Sequence, residues 1–151
     1  MDCNKKQRSQ IMLRKIAAMG FIAFLSTSLF AYDLKSNMQL LNSELGEVHN
    51  GFITSDKEKV RSAVNSFAKH AQELLGNKDK FSEMLPENKK HKASEAVMSA
   101  QIISHNVQII LDSIDNKHNQ SGLVRREEAQ RAYTYIEHAC FRCHNILRDE
   151  Y

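Results

Sequence analysis

Four stretches of this chain repeat apolar residues at intervals of three and four, and the only proline, Pro86, falls between them. That spacing lays an apolar stripe along each of four amphipathic helices, and strand-like alternation is nearly absent. In DLKSNMQLLNSELGEVHNGF the stripe is Leu34, Met38, Leu41, Leu45, Val48 and Phe52, with Asp33 as a cap and Gly51 near the end. A second helix, capped by Ser55 or Asp56, carries Val60, Val64, Phe67, Ala71 and Leu74 and stops at Gly76. Residues 77–92 are polar and contain Pro86, which predicts a surface connection with at most a short helical piece around Phe81, Met84 and Leu85. The third helix covers residues 93–116, with Ala96, Ala100, Ile103, Val107, Ile110 and Ile114 on one face and a second row of Met98, Ile102, His105 and Ile109. After the turn DNKHNQSG, a fourth helix starts near Leu123 and runs through Leu147. Such elements, joined by short or polar connections, predict an all-α chain folded as an antiparallel four-helix bundle.

The N-terminus sets the compartment. Lys5, Lys6, Arg8, Arg14 and Lys15 stand against Asp2 and are followed by IAAMGFIAFLSTSLFA, the pattern of a secretory signal peptide over residues 1–31. The apolar run is shorter than the roughly twenty residues a membrane-spanning helix needs. Cleavage after Ala31 leaves a mature domain over residues 32–151, exported to the periplasm; an uncleaved anchor is the alternative. Removing the leader takes five of 21 basic and one of 18 acidic residues, leaving 16 against 17, so the net charge moves from +3 to −1. The basic excess therefore belongs to the leader, and nucleic acid is set aside as a partner. No membrane partner is expected once the leader is gone.

Within HACFRCHN, Cys140, Cys143 and His144 spell C-x-x-C-H. In an exported chain this pattern reads as covalent attachment of one c-type haem. Thiols on neighbouring turns of one helical face can each form a thioether with a vinyl group of one porphyrin, and His144 brings an imidazole nitrogen to the iron. A disulfide between positions three apart closes almost no loop and stabilises little. Zinc needs further ligands, usually a second cysteine pair, and a thioredoxin-like pair needs a βαβ setting.

The whole mature chain, with its signal peptide, four helices and C-x-x-C-H on the last helix, resembles the class II c-type cytochromes, the cytochrome c-prime group. Its first helix, YDLKSNMQLLNSEL, resembles the opening of the soluble periplasmic b-type cytochrome of the same bundle form, with DL-x-x-NM-x-x-LN in common. On the residues alone, Met38 in an apolar stripe is a packing residue. The resemblance implies instead that Met38 is the distal iron ligand opposite His144, as in the low-spin members. It also implies single-electron transfer between transient redox partner proteins, and no enzymatic activity. The alternative within the group is a five-coordinate protein binding nitric oxide or carbon monoxide, with Met38 merely packed. Many relatives dimerise through their first two helices, so a homodimer is a further possibility. His105 is the next candidate ligand, read otherwise as a core or boundary histidine, while His49, His70, His91, His118 and His138 are expected in solvent. Lys35, Arg142 and Arg148 are candidates for the haem propionates or for solvated positions, and one of Tyr133 and Tyr135 can approach the porphyrin edge.

Overall fold

A computed structural model describes residues 34–148, and every regular element among them is helical. The predicted leader lies outside the described residues. Helix α1 spans Leu34–Ile53, α2 Lys57–Leu75, α3 Lys78–Glu83, α4 Ser94–Asp115 and α5 Gly122–Leu147, with a 3-10 helix at Glu87–Lys92 between α3 and α4. No helix among the described residues is long and apolar enough to cross a membrane.

Local chemistry fixes the helix ends. Asp56, rather than Ser55, caps α2, its carboxylate accepting from the backbone N–H groups of Glu58 and Lys59 at 3.1 and 3.0 Å. Ser55 instead takes the left-handed turn, with φ of 56°. Ser121 caps α5 through the N–H of Val124 at 3.4 Å, and Asn116 closes α4 in the left-handed region that asparagine tolerates. Gly51 does not end α1. It lies inside the helix where α2 begins, and a Cβ there would stand 2.7 Å from Val60 Cγ2 and 3.0 Å from the Val60 nitrogen. The glycine thus permits the close approach of α1 and α2.

Helices α1 and α2 form one antiparallel hairpin. Lys59 Nζ meets Glu47 at 2.9 Å near the turn, and His70 Nδ1 meets Glu44 Oε1 at 2.7 Å further along. Helices α4 and α5 form another, marked by Ser99 Oγ donating to the Ala139 carbonyl at 3.3 Å and, toward its other end, Ser113 Oγ donating to Glu128 at 3.4 Å. The two hairpins join through α2 against α4, whereas α1 and α5 do not pack closely along their backbones. Val48, Val64, Phe67, Ile103, Ile110 and Ile136 are among the largest side chains sealed in the core.

Two expectations change on tertiary grounds. The segment 77–92 is more than a surface connection: Phe81 is fully buried and Leu85 nearly so, because α3 turns its apolar residues onto the core. On α4 the main stripe holds, but it widens toward Ser99, Asn106 and Ser113, not toward Met98 and His105, which are exposed. Ser99 donates to the Ala139 carbonyl, and Ser113 lines one cavity with Ala129, so small residues of α4 and α5 stand on the seam between the two helices.

Candidate functional site

Helix α5 is unbroken through the motif, so Cys140 and Cys143, three residues apart, share a face with His144 alongside. That face opens onto a cleft of about 310 Å³ where α5 stands apart from α1. Leu41 and Leu45 of α1, Phe67 and Leu75 of α2 and Ile103 of α4 form its apolar walls, while Met38, Cys140, Cys143 and His144 also line it. A wider, shallower cleft of about 840 Å³ shares Met38, Asn42, His144 and Arg148 with the first, and Lys35 and Lys89 stand on its rim. Met38 and His144 therefore lie at the boundary of both spaces. A third cavity, about 230 Å³ beside Gly51, Val60, Arg125 and Ala129, sits at the other end of the helices and holds no thiol or imidazole.

Both cysteines are free thiols. Burial, and then the neighbouring Cys143, push the Cys140 thiol up to about 11. Burial also raises Cys143, against the opposing influence of the Ser99 hydroxyl. A low-pKa cysteine of the kind that attacks disulfides is the reverse of this environment. Burial, and secondarily Arg148, lower the pKa of His144 and leave its imidazole neutral, with a nitrogen lone pair for a metal. Lys92 Nζ reaches across from the 3-10 helix to the Ile146 carbonyl at 2.9 Å and holds the last turn of α5.

The chain matches no protein-family model, no curated protein and no solved structure. What the site can do thus rests on its own residues. Among those described, no three His, Cys, Asp or Glu side chains are grouped to hold a bare metal ion. The residues present do fit a haem: two protonated thiols, a neutral imidazole and a thioether on one apolar cleft, with Lys35, Lys89 and Arg148 at its outer edge.

The remaining candidates separate cleanly. His105 is exposed on α4, so it is neither a ligand in this cleft nor a core histidine. Arg142 turns away from the cleft to pair with Glu95 of α4 at 3.2 Å. Tyr135 points to solvent, while Tyr133 packs on α1, its ring centroid 5.9 Å from those of both His49 and Phe52. His70 is not simply solvated, because the α1–α2 interface supplies the largely buried Glu44 carboxylate as its partner. Glu137 lines the cleft and was not singled out by the sequence reading; its position one turn before Cys140, on the same face, is the signal that would have found it.

Proposed function

We propose that this chain is a periplasmic monohaem c-type cytochrome, an antiparallel four-helix bundle of the class II kind, which passes single electrons between redox partner proteins. One observation carries the reading: Cys140, Cys143, His144 and Met38, far apart in sequence at the two ends of the described chain, line one cleft. Cys140 and Cys143 hold the porphyrin through thioethers. Each thiol would add across a vinyl group, the sulfur bonding one carbon and the thiol hydrogen passing to the other, with no oxidant consumed. His144 offers its neutral nitrogen to the iron from the α5 side, and Met38 offers its sulfur from α1. The bound haem supplies a ferric–ferrous couple. With His144 and Met38 both engaged, the ligand set would stay the same in both oxidation states, and a thioether would favour the ferrous one. The walls of Leu41, Leu45, Phe67 and Ile103 keep water from the site.

The test is the visible spectrum of protein exported from cells that attach haem. A red protein whose colour survives a denaturing gel, with the long-wavelength sulfur-to-iron charge-transfer band when oxidised, is expected. Met38→Ala should abolish that band and give a high-spin, ligand-accepting form. An unchanged spectrum in this variant would remove Met38 from the iron and favour the five-coordinate gas-binding alternative. A colourless export product would end the cytochrome reading altogether.

A further inference from the structure

The cleft contains a carboxylate that attachment and ligation do not use. Glu137 lines the same cleft as Cys140, Cys143 and His144, together with the apolar Leu41, Leu45, Phe67 and Ile103 and the polar Asn42, Ser99 and Arg148. The Tyr133 hydroxyl donates to its Oε1 at 3.1 Å. Among the described residues it is the one carboxylate that lines this cleft.

Tyr133 is built to keep that charge in place. Its ring is fixed between helices by the edge contact with Phe52, at 74° between planes, and by the tilted contact with His49. Burial first, and then Glu137 itself, push its phenol up to about 12, so it remains a proton donor across the physiological range. The order of support runs from α1 through Tyr133 to Glu137, and so to the cleft. Of the cations, Arg148 lines this cleft together with Glu137, while Lys35 and Lys89 line the second one.

We infer that Glu137, clamped by Tyr133, sets the redox balance of the site by placing a fixed negative charge in the haem cleft, where it favours the oxidised iron. The inference rests on the cytochrome reading. Seven residues, about two helical turns, separate Glu137 from His144, and across an apolar interior a charge at that range is only weakly screened. Tyr133 acts as a positioning residue and Glu137 as the source of the field.

Spectroelectrochemical titration of the haem-loaded protein tests this, with Glu137→Gln and Tyr133→Phe beside wild type. At a fixed solution potential, E137Q should raise the ferrous-to-ferric ratio about tenfold, which is about 59 mV for a one-electron couple. Y133F, which releases the carboxylate, should raise it by a smaller factor. The direction is diagnostic, because packing damage that admits water would favour the charged ferric form and lower the ratio. An unchanged or lowered ratio in E137Q with an intact spectrum overturns the inference and leaves the cytochrome reading standing. If E137Q fails to assemble, Y133F decides on the same terms: a raised ratio supports the assignment and an unmoved or lowered one ends it. A wild-type protein without haem overturns the functional reading, and this inference with it.

Discussion

Cys140 and Cys143 keep their protons in the folded chain because burial disfavours the thiolate, which makes them poor partners for disulfide exchange while they stay together on one helical face. The two positions are therefore expected to back each other up. Cys140→Ser or Cys143→Ser alone should leave one thioether and a haem-staining band on a denaturing gel, while the double substitution should abolish the band and leave dissociable haem. Persistence of the band in the double variant would show that attachment lies elsewhere. That Cys140, Cys143 and His144 share one helical face was legible in the sequence, because motif and helical period are local patterns, whereas the place of Met38 on the same cleft came only from the resemblance. Glu137 was not legible, since a carboxylate beside an apolar stripe looks like any solvated glutamate until the facing helix is known. His105 misled for the converse reason: its row includes Ile102 and Ile109, half-buried against the core, yet His105 itself is exposed.

Among the elements, the ends of α2, α4 and α5 could be read to within a residue or two, because caps and turn residues act within four residues of themselves. The span 77–92 could not, because what buries Phe81 and Leu85 is contact with helices distant in sequence. Gly51 does lie near the end of α1, as read, but the room it opens for α2 depends on a contact with Val60 that the sequence does not display. Gly51→Ala should force Val60 and the first turn of α2 outward and destabilise the fold by about 1–3 kcal/mol, measured by urea unfolding. A neutral or stabilising effect, as expected of an alanine in an unobstructed helix, would mean that the close approach of α1 and α2 is not needed.

For the molecule as a whole, the same buried thiols predict how stability responds to alkali. The Cys140 thiol titrates near 9.0 when unperturbed and at about 11 in the fold, so between these values the unfolded chain loses a proton that the folded chain keeps. Stability should be full below about pH 9 and fall as pH rises toward 11. Tyr133, shifted up to about 12, extends the decline in the same direction. A thioether sulfur carries no proton, so chains with haem attached should lose the cysteine part of this dependence and keep the tyrosine part. Thermal melts of haem-free and haem-loaded protein from pH 8 to 11 would compare the two, and identical slopes would place the attached group away from the cysteines.

The cleft exists because α1 and α5 stand apart where the other long helices clasp each other in pairs. The described polypeptide thus begins and finishes on either side of one seam, and each margin of that seam has its main support from its own hairpin. Such a molecule can unzip at this corner while its centre stays shut, so among the described residues the seam is where deuterium from solvent should enter first.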